Sequence, residues 1–282
     1  MFAFRFARLI FAASLGISAY TATAATFIVT DIDAAQPDHE HWGKLDAYNT
    51  GNAIITTDAP NTGNGSLKLS GDMTRVQLGY QLGSQRTNFG SVHKVTGLTF
   101  DWRVASESSN LDYTPTLRLL VHDGEQLSVY GWNGKYNGVA SNPLDNWYSS
   151  TTNDLFWQWT YKEGDTLDAG QLKLLPLGNW IEGLSSNAFV TAISVGAGAK
   201  AGNGYNAFAD NIQLHRGAKI DSYNFEAIAA VPEPATWMML LIGFFLIAAT
   251  LRAKNYARPA RYDVRARQRP TNIVAVINLA ST

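Results

Sequence analysis

The sequence contains no cysteine. That absence removes disulfides, thiolate nucleophiles and cysteine-based zinc sites, so an exported domain here is held by burial alone. No G-x-S-x-G elbow occurs, and His93, His122 and His215 stand in or beside expected strands without an evident serine–carboxylate setting. Charged residues make up only 16% of the chain. No pair of carboxylates announces a glycosidase, although such pairs come from distant positions and leave no local pattern. Nothing in the residues points to an enzyme.

The two ends are better marked. Arg5 and Arg8 precede the apolar run Leu9–Ile17, and Ala22-Thr23-Ala24 supplies a small-x-small cleavage signal. That order of parts is a secretory signal peptide over 1–24, cut after Ala24 and read by Sec-type export machinery. Roughly 206 residues then remain before the prolines near the C-terminus, enough for one domain with a sizeable core. Whole-chain net charge is −1, but the signal peptide carries +2 and the residues after Leu251 carry +6, leaving −9 between them. An acidic exported domain lacks the electrostatic footprint of a nucleic-acid partner.

That domain, placed at 25–218, reads as all-β. Apolar and polar residues alternate in "SLKLS" (66–70), "RVQLGYQL" (75–82), "LTFDWRV" (98–104), "TLRLLVH" (116–122), "LSVYGW" (127–132) and "LFWQWTY" (155–161). Half-buried strands of this kind pack sheet on sheet, which predicts a two-sheet antiparallel sandwich. "LDAGQLKLLPLGNWIEGL" (167–184) lacks alternation and reads as a crossover, with a helical turn in "LGNWIEGL" ending at Gly183. "FVTAISVGAGAKAGNGYNAFADNIQL" (189–214) reads as strand, Gly-rich hairpin loop, strand. This terminal "DNI" strand and the earlier "GNGSLKLS" resemble jelly-roll domains, carbohydrate-binding modules among them, which implies a jelly-roll sandwich.

Candidate sites are few. "GAGAKA" (196–201) matches a relaxed dinucleotide fingerprint, but the fingerprint needs a following helix and a strand follows here. "DHEH" (38–41) sets His39 and His41 two apart, without evident third and fourth metal ligands, and reads as a solvated loop. Asp31, Asp33 and Asp210 are the candidates for the structural calcium that the jelly-roll resemblance implies, since hard oxygen ligands suit that ion. No other cofactor is indicated. Seven of the eight tryptophans fall in the exported domain, and Trp132, Trp157 and Trp159 are the candidate ligand-binding residues. Trp157 and Trp159 share a strand face and read first as core filler, because large aromatics contribute most when buried. Trp132, beside the polar "NGKYNG", reads as the exposed ring.

The C-terminus carries "VPEPATWMMLLIGFFLIAATLRAK" (231–254). Its seventeen uncharged residues, Ala235–Leu251, make about 25 Å of helix, just short of a ~30 Å hydrocarbon core. One transmembrane helix over 235–251 is therefore expected. Basic residues crowd the following 252–282, a tail that reads as disordered, and place it in the cytoplasm with the acidic domain outside. The linker is 219–234. Signal peptide, domain, Pro-Glu-Pro, short apolar helix and basic cluster, in this order, resemble the PEP-CTERM proteins of Gram-negative bacteria that make extracellular polysaccharide. The resemblance implies transient anchoring in the inner membrane, cutting by an exosortase-type protease, and release to the cell surface or matrix, in an exopolysaccharide or biofilm context. Pro232, Glu233 and Pro234 would then be the recognition motif, with Arg252 and Lys254 as the basic stop. Two functions stay open for the exported body: a non-catalytic surface or matrix protein, or a lectin-like module with a glycan groove.

Overall fold

Alternating side chains can serve a sheet only if one face is covered, and two sheets cover each other here. The computed structural model describes residues 23–45, 49–162, 173–228 and 234–256. Its strands are β1 (Thr23–Val29), β2 (Trp42–Leu45), β3 (Asn52–Thr56), β4 (Ser66–Ser70), β5 (Thr74–Leu78), β6 (Gly97–Val104), β7 (Thr116–Asp123), β8 (Gln126–Trp132), β9 (Tyr148–Ser149), β10 (Leu155–Lys162), β11 (Leu175–Pro176), β12 (Phe189–Ala197), β13 (Asn206–Arg216) and β14 (Lys219–Phe225). One turn of helix, α1 (Leu177–Ile181), lies between β11 and β12, where "LGNWIEGL" predicts it. Leu177 and Ile181 anchor that turn in the core.

Among the described residues each sheet has seven strands. The first runs β1-β14-β13-β4-β3, with β6 along the other edge of β13 and β9 beyond β6. The second runs β11-β10-β8-β7-β12-β5-β2. The all-β sandwich expected from the sequence is therefore present, with two differences of pairing. First, β1 pairs parallel to β14. Because these strands come from opposite ends of the domain, no hairpin forces them antiparallel. Second, β12 and β13 are not a hairpin. β12 has β5 and β7 on its two edges, so the Gly-rich loop after it crosses to the other sheet.

The expected domain end at 218 is also corrected. Lys219–Phe225, assigned to the linker, is strand β14. Tyr223 and Phe225 turn inward and meet the edge of Trp42, with ring centroids 5.6 and 5.2 Å away. Asp221, buried beside them, is paired with Arg216 and with Lys219. Burying two aromatic rings outweighs the polar residues that make this stretch look like linker.

One core fills the space between the sheets. In β6, Leu98, Phe100, Trp102 and Val104 are all buried on one face, as their spacing requires. In β8, Tyr130 and Trp132 point the same way and are fully buried. Trp132 is the largest correction to the sequence reading. Its ring packs edge-on against Phe100 at 5.0 Å, and its Nε1 donates to Asp154 Oδ2 at 2.6 Å. Asp154 is itself fixed by the backbone N–H and the hydroxyl of Thr151. The polar loop begins only after this ring, so sequence proximity to it gave Trp132 no exposure.

Asp210 occupies a special place in β13. The β13 edge pairs with β4 up to Ala209 and with β14 from Ile212 onward. Asn211, between them, has a positive φ of 47°, a bulge at the handover. Asp210 is fully buried there and accepts from Phe225 N at 2.9 Å and Thr62 N at 3.3 Å. Its carboxylate thus replaces the missing ladder bonds. Burial pushes its pKa up to about 6, against the opposing pull of those N–H groups.

The chain divides into two units, the sandwich ending at Ile228 and a C-terminal unit from Ala229. In the latter, α2 (Pro234–Tyr256) opens on Pro234, a favoured first helical residue. It continues through Arg252 and Lys254, past the expected boundary at 251. The large apolar side chains described in it are 47–74% exposed. Among the described residues, no helix is long and apolar enough to cross a membrane. The transmembrane span expected over 235–251 is therefore not shown by the fold. The expected signal peptide through Ala22, the Pro232-Glu233 pair and the tail 257–282 lie outside the described residues. Ala24 lies in β1, opposite Ile220.

Two outcomes follow from the core. Trp132→Ala should cost about 3–5 kcal/mol by urea denaturation, and a cost below about 1 kcal/mol would contradict its burial. For Asp210, a folded pKa above the unfolded value means that ionisation opposes folding. The penalty should be absent below about pH 4, where both states are protonated, and complete above pH 6. Asp210→Asn should therefore gain on the parent chain by up to about 3 kcal/mol between pH 4 and pH 7.5. Parallel denaturation curves at the two pH values check this, and a constant difference would show ordinary titration.

Candidate functional site

The strand period that buries Trp132 turns its neighbours outward. In β8, Leu127, Val129 and Gly131 face away from the main core, and in β10 Phe156 faces in while Trp157 and Trp159 face out. The core expectation for this tryptophan pair is thus overturned. Trp157 is half-buried and Trp159 is 44% exposed. Their rings lie 4.8 Å apart, tilted by 44°. Leu120, Leu127, Val129 and Ala192 form a small apolar floor on the same outer face, with Trp157 packed against it.

Gly131 explains how Trp157 lies. The two residues are directly paired across β8 and β10. A Cβ on Gly131 would stand 2.1 Å from Cζ2 of the indole. The ring therefore rests flat over bare backbone, which only glycine allows.

The tryptophans flank a groove of about 590 Å³ at the end of the sheet where β7 and β10 begin and β8 and β12 finish. It continues into a second hollow of about 470 Å³ that shares Asn110, Asp112, Tyr113 and Lys135. These volumes fall within the ~300–1,000 Å³ of small-ligand sites. Three loops build the rim. The first precedes β7 and brings Asn110, Asp112 and Tyr113. The second, after Trp132, makes a 3-10 turn over Gly134–Asn137 in which Asn133 accepts from Lys135 N. Asn137 ties that turn to the first residue of β10, accepting from Leu155 N at 2.8 Å and donating to Leu155 O at 3.1 Å. The third loop, after β12, brings Gly198 and Lys200. Asn110 Nδ2 donates to its Lys200 carbonyl at 3.2 Å.

Chemically, the groove offers two inclined indole faces, Tyr136 and Tyr113 beside them, and a rim of amides, hydroxyls and charges. Asp112 is the one carboxylate among the described lining residues. Such a surface can stack on the C–H face of a flat ring while its rim hydrogen-bonds hydroxyls. Trp132 contributes from beneath by holding the start of the loop. Lys135, Tyr136 and Lys200 had no sequence signal beyond lying in Gly/Asn-rich stretches, because what joins them is the meeting of two loops far apart in the chain.

The calcium candidates do not converge. Asp33 is ion-paired with Lys44 at 2.6 Å, Asp31 accepts from the Asp33 N–H, and Asp210 holds backbone N–H groups in the core. Among the described residues, no group of three or more His, Cys, Asp or Glu is placed to hold a metal ion. In "DHEH", Asp38 caps its own turn by accepting from Glu40 N and His41 N, and pairs with the His41 ring. "GAGAKA" spans the end of β12 and the groove loop.

No family model matches the chain, and no curated protein matches it. Among solved structures it is similar to an exo-beta-agarase, at 11% identity and a TM-score of 0.32, over 62% of this chain and 23% of that one. It is also similar to the ligand-binding domain of botulinum neurotoxin serotype D, solved in complex with N-acetylneuraminic acid. There the identity is 11% and the TM-score 0.27, over 61% of this chain and 46% of the other. The matched part is less than half of either neighbour, and likeness this slight says nothing about ligand.

Proposed function

We propose that this is an exported, non-catalytic surface or matrix protein whose sandwich binds glycan chains in the Trp157–Trp159 groove. One observation carries the reading: two adjacent indoles sit on the outer face of a sheet, one of them 44% exposed, above a groove with a polar rim. Adjacent apolar rings at a polar-rimmed groove are the kind of surface that marks a ligand site. Among the described residues of the lining Asp112 is the one carboxylate, which supports a binding role over a two-carboxylate hydrolase. Trp159→Ala should weaken glycan binding at least tenfold on a polysaccharide panel while costing under about 1 kcal/mol of stability, as a largely exposed change does. A parent chain that binds no glycan, or a variant that binds as well as the parent, would sink the proposal.

A second reading, of the C-terminus, rests on its own sequence. We infer that the run 235–251 holds the exported chain at the inner membrane until an exosortase-type protease cuts at Pro232-Glu233-Pro234. The helix is apolar on every side over the described part, Met238–Leu251, and a helix apolar all round needs cover from protein or lipid. Arg252 and Lys254 follow at the basic side. Replacing the three motif residues with alanine should leave membrane insertion intact and stop processing, so an uncut membrane-bound form accumulates. Normal release from that variant would contradict the sorting role.

A further inference from the structure

We propose that the groove is built for an anionic glycan, one whose sugar rings carry carboxylate or sulfate groups; this rests on the glycan-binding reading above. The observation is a reversal of charge. Between the signal peptide and Leu251 the chain carries a net −9, yet among the described residues the charged side chains lining the groove are Arg118, Lys135 and Lys200 against Asp112. The local balance is positive on a segment whose net charge is negative.

Like Lys94 and Lys173, and unlike several other basic residues, the two lysines hold no ion pair among the described residues. Lys44, Lys68 and Lys219 each hold a carboxylate partner, as do Arg103 and Arg216. Among the described residues, no carboxylate lies within ion-pair distance of Lys135 or Lys200, and both are exposed. Their backbones are nonetheless fixed. Lys135 N donates to Asn133 Oδ1 at 2.9 Å, and the Lys200 carbonyl accepts from Asn110. The loops therefore bring two lysines without carboxylate partners among the described residues to the groove that the indoles also line. A pyranose stacked on an indole would bring its ring substituents toward the rim. Ammonium groups are strongly hydrated point charges that accept an anion from several directions, which suits successive charged substituents on a chain. A neutral chain would leave them without a role.

The test uses the full-length protein in mild detergent and isothermal titration calorimetry. The probes are oligogalacturonate, a sulfated galacto-oligosaccharide, a neutral galacto-oligosaccharide of equal length, and single-stranded DNA. At least one anionic oligosaccharide should bind tenfold or more tightly than the neutral one, and that advantage should largely vanish between 0.05 and about 0.5 M NaCl as screening shortens the reach of charge. The carboxylated and sulfated arms distinguish which anion is taken. The double variant Lys135→Gln with Lys200→Gln should bring the anionic glycan down to the neutral level, and Trp159→Ala should weaken both. Equal, salt-independent and Trp159-dependent binding of neutral and anionic glycans would overturn the proposal and leave the glycan reading standing. Absence of all glycan binding would overturn both. Tight binding of DNA, or anionic binding insensitive to Trp159→Ala, would show a general polyanion surface and overturn the assignment to glycan.

Discussion

The two tryptophans of the groove face outward because their neighbours along β10 face inward. Successive side chains of a strand point to opposite faces, so the register that turns Tyr130, Trp132 and Phe156 into the core also turns Gly131, Trp157 and Trp159 to the outer face, where Trp157 covers Gly131 and Trp159 is exposed. A slip of one residue in β8 or β10 would exchange the two sets. Trp132 makes that slip costly, since its indole fills the core against Phe100 and donates to Asp154. The buried tryptophan therefore fixes the outer ones without contacting a ligand itself.

From that constraint the rest of the groove follows by attachment. Asn133 and Asn137 belong to the loop that leaves the core directly after Trp132, and Asn137 closes it onto the start of β10. The loop before β7 is linked to the loop after β12 by Asn110. Loops tied in this way hold their charges in place ahead of any ligand, and pre-ordering reduces what binding must spend on ordering them. The same fold uses a buried carboxylate as scaffolding, since Asp210 bridges the place where β13 changes partners.

The two units divide the tasks of the proposed function. The sandwich supplies a recognition surface whose geometry is fixed by burial, with no disulfide available to it. The C-terminal unit supplies an apolar helix that opens on Pro234, and its proposed role is delivery of the chain, separate from what the sandwich binds. Substitutions in one unit should leave the other's task readable, because each is a compact unit in its own right.

Composition and period alone determined the all-β class and most of the strands, because alternation in β4, β6, β7 and β8 reports directly on which side chains share a face. They also determined the acidic balance and the marked ends of the chain. They did not determine which face of β10 is inside. "LFWQWTY" has aromatic residues on both faces, so hydrophobicity favours burying Trp157 and Trp159, and local pattern cannot weigh that against Phe156 and the paired Gly131. Nor did they reveal β14, whose polar residues mask two core aromatics, or the crossing of the β12–β13 loop between sheets. Only the tertiary structure decided these, because strand pairing and the sharing of one core are set by residues distant in sequence. The groove is the plainest case: Lys135 and Lys200 come from different loops, and packing of β7, β8, β10 and β12 side by side is what brings them to one site.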